Sequence, residues 1–371
     1  MESESYAVKE NVMLRKQGRG GCMAPAGSLL LATVLGSLGT AAGSILVLNP
    51  EDRISVTRGV WLSILGLVFF VSLYDLVNYI ALRTSPGHRF QKKYQLTVFE
   101  VLDISNKLVS AVQACLSCVT GAVVCWWSCP RNFIRSSHYM SEAYAWFGMA
   151  YFFYDIWSMY HVYTHDVGAI TGHVETDIKG MTPGRIHGAG SLEGFWSYFV
   201  RQPVIVLHHI FIGSFGFLVI VYFRGGLGDC VFGFVYLMEL STPFVSLRGI
   251  LSKLKLKSSI LYVVNGITML VTFFFCRVLM FPYVCYMYGR FAGLPFWKAV
   301  SSLPTTCKAG IAVLMMPQVY WFTLMLQGAV KVLCFRKESS KKSGGVTVEF
   351  LPLDHGVKKR CNGLPMLRMF H

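Results

Sequence analysis

Along the chain, apolar stretches of about 20 residues alternate with short polar segments, the length an α-helix needs to cross a bilayer core. The pattern predicts eight membrane-spanning helices, at 25–48, 58–82, 100–127, 142–163, 200–223, 229–247, 259–288 and 307–333. The fold class is therefore all-α, a polytopic helical membrane protein. The first run, LLLATVLGSLGTAAGSIL, is rich in Gly, Ala and Ser and holds no ionisable residue. Its small side chains permit close helix packing, and it reads as an additional helix outside any site. The polar residues ahead of it make it a signal-anchor or an ordinary first span rather than a cleaved signal peptide. Residues 1–24 and the tail 336–371 are polar and expected to be disordered. The longest internal loop, 165–199, carries HDVGAITGHVETDIKGMTPGRIHGAGSLEG and has two readings, a plain connector or a cytosolic lid.

Composition excludes a soluble protein. The chain of 371 residues is 54% hydrophobic and only 14% charged, whereas soluble domains carry about 25% charged residues. The net charge of +15 could suggest nucleic acid, but its placement speaks for a membrane. With eight spans both termini share a side, whose segments hold 24 Lys and Arg against 7 in the opposite loops. This is the positive-inside signature and predicts cytosolic termini. The basic tail has two readings, contact with anionic lipid or simple solvation. Of the eleven cysteines, Cys115 and Cys118 form a CxxC, but inside a span without His or acidic neighbours. Small hydrophobes in a packed helix are the reading there, not redox or zinc chemistry.

Several ionisable groups fall inside the spans: Asp103, Lys107, Asp155, His161, His208, His209, Glu239 and Arg277. An Asp, Lys or Arg at mid-helix costs about 2.5–3.5 kcal/mol on insertion scales. Several together need mutual pairing or a polar interior. Asp103 and Lys107 are i, i+4 and form a ready-made pair. Arg277 predicts a carboxylate partner or an anionic head group. The adjacent His208 and His209 in VRQPVIVLHHIFIG point about 100° apart on a helix. One ring can face a polar interior, where a neutral imidazole serves as base or nucleophile; interhelical hydrogen bonding is the structural alternative. His161 and His165 give an HxxxH resembling part of the histidine clusters of membrane di-iron desaturases. No HxxHH accompanies it, so no metal site is predicted.

The blocks LHHIF, GLGD at 226–229, MELSTPFVSLRGIL at 238–251, VNG at 264–266 and CRVLMFPYVCYMYGRFAGLP at 276–295 resemble the TLC-domain family, which includes the ceramide synthases. YFFYDIWSMY at 151–160 and PQVYWF at 317–322 support the resemblance, and the look is nearest to the TLC domain-containing protein 3 subgroup. It covers roughly residues 58–335 and implies a TLC-type bundle of six to seven helices, with the helix at 25–48 extra. It implies a multi-pass protein of the endoplasmic reticulum, or of the Golgi, with a role in ceramide and sphingolipid metabolism. Ceramide synthases carry HH on one helix and HDxxD on a second, about thirty residues later. Here His208 and His209 match the pair and Glu239 the first acid; Thr242 stands where the second acid would be, and Met238 where its histidine would be. The resemblance thus implies an acyltransferase taking acyl-CoA as co-substrate and a sphingoid base as acceptor, with no bound cofactor and no metal. His209 would be base or transient acyl acceptor, Glu239 its orienting carboxylate and His208 a relay. Asp155, Thr242 and Arg277 are expected at the substrate. The alternative, raised by Thr242, is a lipid-binding protein that regulates membrane composition without turnover. Partners are membrane lipids and not nucleic acid; homo- or hetero-oligomers are both open.

Overall fold

The computed structural model describes residues 25–177 and 192–342, with side chains described apart from 165–177, 192–193 and 331–342. Regular structure among the described residues is entirely helical. It begins with α1 (Pro25–Ile45), α2 (Val56–Arg83), α3 (Ser85–Tyr94), α4 (Val98–Ser128) and α5 (Tyr139–Asp177). Then follow α6 (Leu192–Arg201), α7 (Pro203–Phe223), α8 (Asp229–Lys253), α9 (Ile260–Ala292), α10 (Phe296–Ser302) and α11 (Thr305–Lys342). The chain divides into two units, Met1–Ser246 with Lys253–Lys255, and Leu247–Ser252 with Leu256–His371.

Seven of these helices, α1, α2, α4, α7, α8, α9 and the Thr305–Val330 part of α11, are long and apolar enough to cross a membrane. The eighth predicted span, 142–163, lies inside α5, whose tyrosines, tryptophans and polar residues lower its hydropathy. Its packing supplies what composition does not. Ser63 of α2 donates to the carbonyl of Trp146 at 2.8 Å, Phe70 packs on Tyr151 at 5.4 Å and Tyr74 on Trp157 at 6.0 Å. Residue numbers rise together, so α2 and α5 run parallel. On its other side, Gln113, Ser110 and Asn106 of α4 meet Tyr144, Tyr151 and Tyr154 in turn, an antiparallel pairing. From Tyr144 to Ser158 α5 advances about 21 Å at 1.5 Å per residue, alongside spanning helices throughout. A helix enclosed by other spans meets little lipid and needs little apolar surface.

Capping sets the boundaries. Ser55 caps α2, Thr97 and Glu100 form a reciprocal capping box on α4, and Ser259 caps α9; each satisfies backbone N–H groups that the first turn leaves open. Of residues 165–199, expected as a loop, the described ones are helical: α5 continues to Asp177 and α6 starts at Leu192. The sequence from Tyr151 to Val167 contains neither Pro nor Gly, so nothing in it stops the helix. Residues 178–191, and any lid they would form, lie outside the described residues, as do 1–24 and 343–371.

In the first unit α4 and α8 are antiparallel and touch backbone to backbone. A Cβ on Gly121 would stand 2.6 Å from the Gly233 carbonyl oxygen, so only glycine permits this approach. The same pair is joined at its end by a disulfide between Cys129 and Cys230. Beside it Arg224 pairs with Asp229, and Arg53 with Glu142 at 2.5 Å. In the second unit α9 changes to π-helical geometry over Phe274–Leu279 and packs Phe274 against Phe322 of α11 at 5.4 Å with the rings tilted.

Candidate functional site

The first unit is threaded by a polar stripe. On α4, Asp103, Asn106, Ser110, Gln113, Ser117 and Thr120 recur every three or four residues and therefore share one face. Most of this stripe is matched by hydroxyls from α5. Tyr154 and Ser158 both donate to Asn106 Oδ1, at 3.2 and 2.7 Å. Tyr151 donates to Ser110 Oγ at 3.0 Å, and Gln113 Nε2 donates to the Tyr144 hydroxyl at 3.1 Å. Ser117 donates to the carbonyl of Tyr236 on α8 at 3.1 Å. At the start of the stripe Asp103 forms the expected pair with Lys107 at 2.6 Å, and Lys253 joins it at 3.5 Å.

His209 lies beside this network, its ring centroid 6.5 Å from that of Tyr151. Its Nε2 is 2.8 Å from Asp155 Oδ2, and the two side chains are only 11% and 6% exposed. Its Nδ1 is 2.8 Å from the carbonyl oxygen of Ile205, one turn earlier on α7. A carbonyl can only accept, so Nδ1 carries the hydrogen. Nε2 and a carboxylate oxygen are then both acceptors at hydrogen-bond distance, and that contact needs a proton as well. The arrangement is either an imidazolium beside a carboxylate or a neutral imidazole beside a carboxylic acid. In both, the pair holds one proton more than a neutral histidine and a free carboxylate do. Asp155 Oδ1 is buried and has no hydrogen-bond donor among the described residues.

Each remaining candidate has a definite place. The His208 ring meets that of His209 edge-on at 5.7 Å. Glu239 sits in a 3-10 turn, Met238–Ser241, where α8 changes geometry ahead of Pro243; proline lacks the N–H that a regular helix would use there. Thr242 donates to Glu239 Oε2 at 2.5 Å, and the Glu239 carboxylate acts electrostatically on His209, Tyr151 and Tyr144. The residue in contact with the imidazole is thus Asp155, expected at the substrate, while Glu239, expected to orient the ring, holds Thr242 within electrostatic reach of it. Arg277 belongs to the second unit, in the π-helical segment, where its Nη1 donates to Gln318 at 3.3 Å and its guanidinium lies 5.3 Å from the Phe273 ring. His161 stacks on Trp157 at 5.5 Å; the side chain of His165 lies outside the described residues.

The sequence reading did not single out Asn106, Ser110, Gln113, Tyr144, Tyr151, Tyr154 or Ser158. Their signal was present in the three- and four-residue spacing of amides and hydroxyls within a long apolar run. Chemically, the pair can take up and return a proton in a site shielded from water, and Asp155 Oδ1 can accept from an amine or hydroxyl.

The profile of the TLC domain matches residues 103–327, a stretch that begins at the polar stripe of α4 and includes α5, α7, α8 and α9. The human TLC domain-containing protein 4 is 30% identical over 152 residues, which is 40% of this chain and 56% of that protein. The chain thus spans little more than half the length of this relative. The matched region extends over well more than half of the sequence, and it contains the HH pair, Asp155 and Glu239: the chain belongs to the TLC-domain family.

Proposed function

We propose that the protein is an acyltransferase of sphingolipid metabolism, moving an acyl group from acyl-CoA to the amine of a sphingoid base inside the membrane. The observation that carries the reading is the buried His209–Asp155 pair with Asp155 Oδ1 open. Both ring nitrogens of His209 are engaged, which supports general acid–base work over formation of an acyl-histidine. The active form has one proton fewer: His209 neutral with its Nδ1–H on Ile205, and Asp155 ionised. As the substrate nitrogen attacks the thioester carbon, its proton passes to the pair, through Asp155 Oδ1 where the amine binds. Collapse of the tetrahedral intermediate breaks the carbon–sulfur bond, and the pair returns that proton to the departing thiolate. The geometry in hand is that of the proton-loaded pair. His208 would relay protons, and Glu239 with Thr242 would accept a hydrogen bond from the neutral substrate amine. Acyl-CoA is a co-substrate, and no resident cofactor is invoked.

A second reading is non-catalytic lipid binding. Thr242 favours it, since it ties up Glu239 where the resemblance would have a second acid. Within the family, the blocks at 238–251 and 276–295 support placement near the protein 3 subgroup, beside the measured similarity to protein 4. For topology, the Cys129–Cys230 bond supports an oxidising compartment at that end of α4 and α8. The loops there are the cation-poor set, so both termini are assigned to the cytosol, and the endoplasmic reticulum or Golgi membrane fits both features.

Purified protein in nanodiscs, given labelled acyl-CoA and a sphingoid base, tests the reading. Lipid amide should form across some range of chain lengths and fall at least a hundredfold in His209→Gln. Product at equal levels in both, or none in either, would end the enzyme reading; saturable ceramide binding without turnover would support the second.

A further inference from the structure

We infer that α3 is a built binding surface for anionic phospholipid head groups. It starts two residues after α2 ends at Arg83 and so lies at the membrane boundary of a spanning helix. From Leu76 to Phe99 the sequence has no Asp or Glu, while it has Arg83, Arg89, Lys92 and Lys93. The helix is held rigidly rather than trailing. Thr84 caps its start, Gln95 ends it in a left-handed conformation at φ 51°, and Gln91 Nε2 donates to the Ala81 carbonyl at 2.5 Å. Gly87 is buried against the carbonyls of Ile80 and Ala81, which a Cβ would strike.

With Gly87 and Gln91 turned to α2, helical spacing decides what the other faces present. Pro86, Phe90 and Tyr94 follow at i, i+4 and i+8, so they form a row. Phe90 is 41% exposed and packs on Tyr94 at 5.0 Å. Arg89, Lys92 and Lys93 are exposed on the next sector round the helix. An exposed aromatic row beside a cationic row, fixed at the end of a span, is the arrangement by which an interfacial helix sinks its rings among acyl chains and holds phosphates above them. Lys255 extends the cationic rim by donating to Gln95 Oε1 at 3.4 Å. The charge selects the occupant: zwitterionic head groups offer no net attraction, whereas anionic ones gain about fivefold in affinity per cation near the surface. This surface is separate from the His209–Asp155 pair, and its test does not depend on turnover.

Full-length protein in detergent would be mixed with equimolar phosphatidylserine and phosphatidylcholine, and the retained lipid read by native mass spectrometry. Wild type should retain phosphatidylserine in at least tenfold preference. Arg89→Gln/Lys92→Gln/Lys93→Gln should lose most of that preference, and Lys92→Arg/Lys93→Arg should keep it. A control removing three exposed cations elsewhere, Arg290→Gln/Lys298→Gln/Lys308→Gln, should leave it unchanged. Each variant is compared at matched elution volume and helical circular dichroism. No preference in wild type, an equal loss in the control, or displacement of the lipid by equimolar coenzyme A or inorganic phosphate would each overturn the proposal.

Discussion

Asp155→Asn separates the chemistry of the pair from its structural work. The substitution keeps the shape of the side chain. The Ile205 carbonyl holds the hydrogen on His209 Nδ1, so Nε2 presents a lone pair to which the new amide can donate. The 2.8 Å contact is therefore kept while the extra proton is lost. A hydrogen bond to a charged group is worth about 1.5–3 kcal/mol, but burying that charge had its own cost of several kcal/mol. The two terms nearly cancel, and stability should change by less than about 1.5 kcal/mol. Activity should fall by about 10²–10⁴-fold, the usual contribution of a positioned acid–base group. His209→Ala does the reverse to the fold: it leaves the Asp155 carboxylate buried without its partner, costing about 3–5 kcal/mol. The assay is amide formation in nanodiscs alongside thermal unfolding followed by tryptophan fluorescence. If Asp155→Asn keeps a third or more of wild-type activity, or melts below His209→Ala, the proton-sharing argument fails.

Three further outcomes follow from the packing. Gly121→Val should destabilise the first unit by about 3 kcal/mol or more, because the α4 and α8 backbones cannot separate without breaking the contacts along both; detergent melting curves would show it, and an unchanged midpoint would refute it. Cys129→Ser should leave Cys230 open to a maleimide–polyethylene glycol tag, shifting the band on a denaturing gel without reductant, whereas wild type should gain no shift from either residue. His138 lies outside the spans, and burial lowers its pKa from the ordinary 6.5, opposed by the nearby Asp229 carboxylate. Its Nδ1 also accepts from the Met140 N–H at 3.2 Å, a bond that protonation there would break. The folded state thus binds fewer protons than the unfolded one at and below about pH 6.5, and stability should fall as pH drops through that value. Melting temperatures between pH 5 and 8 should show this slope in wild type and a flatter one in His138→Asn; equal slopes would refute it.

The helical fold was legible because length and apolarity suffice to mark a span. α5 was legible as a crossing only because hydrophobic and aromatic positions recur along it; its burial, which explains its low hydropathy, is a tertiary property. The identity of the partner to His209 was not legible. Sequence separation pointed to Glu239, but which carboxylate meets the ring depends on which helices are neighbours and on their rotation. α5 and α7 are antiparallel, with Gly213 against Phe152 and Phe217 against Trp146, which brings residues 155 and 209 level. The α4 stripe could have been read from its spacing, since Asn106, Ser110 and Gln113 are polar at i, i+4 and i+7 in an apolar run. The disulfide left a fainter trace: Cys129 and Cys230 each stand at the end of a predicted span on the same, cation-poor side.

The catalytic reading depends on one buried proton held between His209 and Asp155. Solid-state nuclear magnetic resonance of ¹⁵N-histidine-labelled protein in lipid observes it directly. The account predicts that His209 Nδ1 is protonated at neutral pH and that its Nε2 resonance moves when Asp155 is replaced by Asn. A His209 ring protonated at Nε2 alone, with resonances unmoved by that substitution, would contradict it.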